Sequence, residues 1–177
     1  RSLRILCAAL LAALAVTASA QGRKDSVVLG MTLEPAPGLD PTMASAAAIG
    51  EVVHMAVLEG LTKIGMDGAV TPLLAESWTL APDGKAYTFS LKKGVKFSDG
   101  AAFDAETVKF SFDRARDAKS TNKAKKALFD NLSSVVVHDA HSLTLVLAKA
   151  DASLPFRLGE NTAVILHPNS VAQAAAK

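Results

Sequence analysis

Ser77-Trp78-Thr79-Leu80-Ala81-Pro82-Asp83-Gly84-Lys85-Ala86-Tyr87-Thr88-Phe89-Ser90-Leu91 reads as two strands joined by a turn. Pro82-Asp83-Gly84 makes the turn, because Pro presets φ and Gly accepts a left-handed backbone at no steric cost. Beyond it Tyr87, Phe89 and Leu91 alternate with Thr88 and Ser90, the period of two that marks a strand buried on one side. The hairpin predicts Trp78 and Leu80 facing the same core.

Toward the C-terminus, Lys93-Gly94 and Asp99-Gly100 punctuate the chain, and Phe97 and Phe103 are expected as buried anchors. Asp104 can cap a helix running to about Arg116, with Ala105, Val108, Phe112 and Ala115 as one apolar stripe. Phe110 falls off that stripe, so the helix is expected to be covered on two sides. A polar stretch over 117–123 leads to a short third helix over Ala124–Leu132. Ser133–Val137 and Leu143–Leu147 then form a second hairpin around Asp139-Ala140-His141-Ser142, with Val135 and Val137 on the face of Leu143, Leu145 and Leu147.

Toward the N-terminus, Leu61–Ile64 and Val70 flank a turn over Gly65–Gly68. Ahead of them Ile49, Val52, Val53 and Ala56 recur at helical spacing, in a helix opened by Asp40-Pro41 and ending before Gly60. Ser26–Met31 is β-branched and apolar enough for a strand, and Pro35, Pro37 and Gly38 break regular structure after it. The sum is an α+β fold with antiparallel hairpins and no strict βαβ repeat.

The first twenty residues read as an export signal: Arg1 and Arg4, the apolar run Ile5–Val16, then small residues at Ala18-Ser19-Ala20. A mature chain over 21–177 would begin at Gln21. The apolar run falls short of the roughly 20 residues that a membrane-spanning helix needs. Cys7 stands too early in that run for lipid attachment, and with it removed the mature chain holds no thiol for a disulfide or a metal. Two of the 19 Lys and Arg lie in the signal, leaving 17 against 17 Asp and Glu. That balance argues against nucleic acid as a partner, and Lys123–Lys126 is expected to be a solvated helix face. The chain lacks an initial Met and stops in a helix opened at Pro168, so it reads as part of a longer sequence.

Several segments in order carry a resemblance: Leu39-Asp40-Pro41, Leu58-Glu59-Gly60-Leu61, Leu74-Ala75-Glu76-Ser77-Trp78, Asp83–Leu91, Lys93-Gly94-Val95-Lys96-Phe97-Ser98-Asp99-Gly100 and Phe103–Arg114. Together they resemble the peptide/nickel/opine class of extracellular solute-binding proteins, which serve ABC importers. The resemblance implies the N-terminal part of a two-lobed periplasmic-binding-protein fold, comprising a partial lobe and an accessory α+β subdomain. A second lobe would lie beyond Lys177. It further implies a monomer in the periplasm that captures a peptide or peptide-like small solute and delivers it to a membrane permease, with no cofactor. In related peptide binders the segment after the Leu-Asp-Pro turn lies along the cleft and offers backbone groups to the ligand. Carried over, this gives Met43, Ala44, Ser45, Ala46 and Ala47 as ligand-binding residues.

The chain offers little for other chemistry. It has no Gly-x-Ser-x-Gly elbow or other local frame for a triad, so no catalytic residue is assigned. His138, Asp139 and His141 belong to a hairpin turn where polar residues are expected anyway, and no further strong ligand joins them, so no metal site is assigned. His54 and His167 read as surface or helix-end residues, and Asn131-Leu132-Ser133 as a sequon without consequence. The alternatives to a transport-associated binding protein are a secreted hydrolase, which would turn over peptides or esters, and a structural envelope protein, which would bind no solute.

Overall fold

The computed structural model describes residues 28, 30–34, 38–42 and 47–175. Residues 1–32 and 33–177 form two compact units, and the elements below all belong to the second. The expected signal over residues 1–20 lies outside the described residues. Of the strand expected over Ser26–Met31, the described Val28, Gly30 and Met31 belong to no strand, and no described strand offers them a ladder.

The elements run α1 (Ala47–Val53), β1 (Thr62–Ile64), β2 (Val70–Pro72), β3 (Ala75–Leu80), β4 (Ala86–Leu91), α2 (Ala105–Arg116), a 3-10 turn (Phe129–Asn131), β5 (Leu132–Asp139), β6 (Ser142–Leu147), α3 (Leu154–Arg157) and α4 (Pro168–Ala175). β1 and β2 pair as a small antiparallel ribbon, and the other four strands form an antiparallel sheet in the order β3-β4-β6-β5. The fold is α+β, as the hairpin patterns predict.

The β3–β4 turn closes through Gly84 N–H to the Ala81 carbonyl at 2.9 Å, with Gly84 at φ +70° and the Asp83 carboxylate accepting from Lys85 N–H. Tyr87, Phe89 and Leu91 are buried, and opposite them lie Leu145 and Leu143 of β6. α2 covers this face. Its stripe of Ala105, Val108, Phe112 and Ala115 is buried to the last residue, and Phe112 meets Phe129 at 5.7 Å between ring centroids. Asp104 and Thr107 form a reciprocal capping box at its start, while Arg114 and Arg116 complement the dipole at its end.

Four expectations need correction. Trp78 is only half-buried and Leu80 is 47% exposed, because β3 is an edge strand and the core beneath it ends at Phe89, 6.1 Å from the Trp78 ring. Of the two phenylalanine anchors Phe103 is buried, whereas Phe97 is half-buried against it. The helix expected over Ala124–Leu132 is a succession of turns ending in the 3-10 segment, so Lys123–Lys126 form no helix face. Lys125 instead donates to the Arg116 carbonyl at 2.8 Å and lies 3.3 Å from the Asp130 carboxylate.

The fourth concerns the first helix. It ends at Val53 rather than just before Gly60, because Met55 takes a left-handed backbone, φ +62°. Both Val57 N–H and Leu58 N–H then return to the Val53 carbonyl, and Ala56 is exposed. Asp40 caps the turn at Pro41–Thr42, accepting from Thr42 N–H at 2.9 Å. The segment Glu59–Gly60 pairs with the buried run Ala163–Leu166, through Ile165 N–H to the Glu59 carbonyl at 2.9 Å and a bridge between Gly60 and Val164.

Candidate functional site

The Leu-Asp-Pro turn is fastened from two sides. Arg114, in the last turn of α2, places Nη2 2.6 Å from the Asp40 Oδ2, and Asp40 Oδ1 accepts from the Thr42 hydroxyl at 2.6 Å. Both charged side chains remain about a third exposed or less, so water still screens this pair and it contributes only about 0.2–1 kcal/mol. The second fastening is buried. Asn122 Nδ2 donates to the Pro41 carbonyl at 2.8 Å and to the Thr162 carbonyl at 2.9 Å, while its Oδ1 accepts from Ala124 N–H at 2.8 Å. Ser120 Oγ donates to the Thr42 carbonyl at 2.9 Å. Thr42, Ser120 and Asn122 are all buried, so these bonds replace ones to water and their loss would leave carbonyls orphaned. One staple more joins α2 to the returning chain: Ser111 Oγ accepts from Leu166 N–H at 2.8 Å.

The candidate ligand segment begins directly after this fixed turn. Met43, Ala44, Ser45 and Ala46 lie outside the described residues; Ala47 opens α1 and is exposed, while Ala48 and Ile49 behind it are buried. Sequence reasoning missed the anchors. Ser120 and Asn122 stand in a stretch whose composition says only loop, and their partners are 78, 81 and 40 residues away.

At the other end of α1 the His54 Nε2 is sealed from solvent without a hydrogen-bond partner among the described residues, and burial pushes the imidazole pKa below 6.5. A cavity of about 310 Å³ adjoins it, lined by Met55, Lys63, Ile64, Gly159, Glu160 and Asn161. A second cavity, about 370 Å³, lies between the Met55–Glu59 turn and Phe97, Phe103 and His167. There the His167 ring lies 5.1 Å from Phe97, with Nδ1 3.9 Å from Asp99 Oδ2. In the sheet, Tyr87 donates to the Asp151 carbonyl at 2.9 Å; desolvation first, then the Asp151 charge, push its pKa above 10.

In the second hairpin the polar residues are engaged locally, apart from the buried His141 Nδ1, which has no partner among the described residues. His138 Nε2 meets the Thr144 hydroxyl at 2.8 Å, and Asp139 accepts from His141 N–H. Among the described residues no group of three or more His, Cys, Asp or Glu stands together as metal ligands. The Asn131 amide is taken up by the Lys149 backbone, donating at 3.0 Å and accepting at 2.9 Å.

Comparison with known proteins places this geometry. Residues 69–177 match the family described as bacterial extracellular solute-binding proteins, family 5 Middle. The glutathione-binding protein GsiB of Salmonella paratyphi A is 34% identical over 130 residues, 73% of this chain and 24% of that protein. The nickel-binding periplasmic protein of Escherichia coli K12 is 40% identical over 101 residues, 56% of this chain and 18% of that protein. The chain thus spans about a quarter or less of the length of these relatives. Among solved structures, AgaA from A. tumefacien R10 in complex with agropinic acid superposes with a TM-score of 0.71 at 29% identity, over 78% of this chain and 28% of that one. NikA from Brucella suis in complex with Fe(III)-EDTA gives 0.63 at 30% identity, over 74% and 26%. The family match covers more than half of the chain, so this chain belongs to the bacterial extracellular solute-binding proteins of family 5.

Proposed function

We propose that this chain is part of the substrate-binding component of an ABC importer, capturing a peptide or peptide-like small solute in the periplasm for transfer to a membrane permease. The family match over residues 69–177 carries this reading. On it, residues 1–20 direct export and are removed, residues 21–177 supply part of one lobe, and the protein works as a monomer without catalysis. The backbone of Met43–Ala47 pairs with the extended ligand. Two observations support that assignment: the turn before it is held by buried bonds to Pro41 and Thr42, and Ala47 is exposed at its far end. A rigid entry and small side chains suit backbone recognition, which tolerates varied ligand side chains.

Titration calorimetry of the full-length protein against dipeptides, tripeptides, glutathione and a nickel–histidine chelate tests the reading. Saturable binding of one peptide class without turnover is expected. Hydrolysis of the ligand, or no binding of any, would overturn it. Amide exchange resolves the site: ligand should protect residues 43–47, and protection elsewhere alone would move the site off this segment.

A further inference from the structure

The end of α1 combines three features that the solute-binding role does not use. His54 is half-buried, and its Nε2 is shut off from water with no hydrogen-bond partner among the described residues. The next residue, Met55, holds a left-handed backbone at φ +62° without being glycine, and the surrounding bonds hold it there: Met55 N–H to the Leu58 carbonyl at 2.9 Å, and Val57 and Leu58 N–H to the Val53 carbonyl at 3.0 and 2.8 Å. Beside both lies the cavity of about 310 Å³, which gives the imidazole somewhere to go.

The chemistry of the imidazole makes this arrangement sensitive to acid. Neutral, its unbonded ring nitrogen costs one unmade hydrogen bond. Protonated, it carries a charge whose second N–H has no acceptor where it stands, a larger cost in a sealed place. Charged groups lining the cavity are Lys63 of β1 and Glu160 of the segment after α3. Lys63 repels an imidazolium, whereas Glu160 offers it a counter-ion on the cavity side. Gaining a proton therefore favours a ring rotated out toward Glu160 and water, which takes away a neighbour of the strained Met55.

We propose that His54 is an acid-sensitive latch on the Val53–Leu58 turn: neutral, it keeps the turn closed; protonated, it leaves its seat for the cavity and lets the turn open. The direction of the imidazole's displaced protonation agrees with this. The turn forms one wall of the larger cavity beside Phe97 and His167, so opening it also changes that space.

Amide exchange of the full-length protein between about pH 7.5 and 4.5, the window in which a histidine changes charge, tests the latch. After correction for intrinsic chemistry, exchange at Val57 and Leu58 should accelerate as the pH falls in the native protein. It should show no such dependence in His54→Phe, which keeps an uncharged ring. Met55→Gly, which removes the strain, should leave the turn closed to lower pH. Glu160→Gln should do the same by removing the counter-ion. Should His54→Phe not fold, His54→Gln serves with the same expectation. Equal pH dependence with and without the histidine, or no acceleration in the native protein, overturns the proposal. Solute affinity is a separate measurement, so loss of the transport reading leaves this result intact.

Discussion

Asn122 shows how much one side chain can hold. Its amide closes bonds to two carbonyls that no other side chain is shown to satisfy, one in the Leu-Asp-Pro turn and one at Thr162. Asn122→Ala is expected to destabilise the protein by about 1–3 kcal/mol, read as a lower urea midpoint with unchanged slope, because a buried acceptor left without a donor bears its full desolvation cost. Two titratable residues make stability depend on pH. The folded pKa of His54 lies below 6.5, so below that value the unfolded chain binds more protons and stability falls until the folded form also protonates. Tyr87 acts at the other end: its folded pKa lies above 10, so above pH 10 the unfolded chain ionises first and stability again declines. Urea midpoints measured across pH should be flat between these limits, with the acid slope reduced in His54→Phe. None of these partners was legible in the sequence, since each bond or seat joins residues far apart along the chain. The candidate segment Met43–Ala47 came from family resemblance, and periodicity gave no independent hint of it.

At the scale of elements the local patterns were informative. The alternation at Tyr87, Phe89 and Leu91, the stripe from Ala105 to Ala115 and the Asp104 cap all appear where the spacing puts them. What spacing does not encode is which strand ends up at an edge. Trp78 lies opposite Phe89, on the inner face as expected, yet among the described strands β3 pairs only with β4 and the ring stays half-exposed. Trp78→Ala should therefore cost about 2 kcal/mol in denaturant titration, below the range of about 3–5 for a fully buried aromatic. Gly60 presents the opposite case. A Cβ there would stand 2.4 Å from the Leu158 carbonyl oxygen and 3.3 Å from that of Ala163, both backbone atoms that cannot swing aside. Gly60→Ala should destabilise by about 1–3 kcal/mol through overpacking, with β1 and the 158–165 segment losing amide protection together.

For the molecule as a whole, a cleft binder encloses its ligand between lobes, and this chain matches 24% of the length of a glutathione-binding relative. Two or three backbone bonds from one wall supply about 0.5–1.5 kcal/mol each. The 177-residue chain alone is thus expected to bind solute no better than about millimolar in calorimetry, beside a tighter full-length protein. Micromolar binding by the short chain would place the whole site within it. One feature of the fold also bears on how the chain is made. Glu59 and Gly60 find their partners in Ile165 and Val164, about a hundred residues downstream, while the sheet between them closes largely through hairpins. On the ribosome, the sheet can therefore assemble before Glu59 and Gly60 have met Ile165 and Val164. Leu61 shares its core with Ala163 and Ile165, so the covering of that core is complete only once translation has passed Ile165, and until then the chain shows apolar surface that a chaperone would protect.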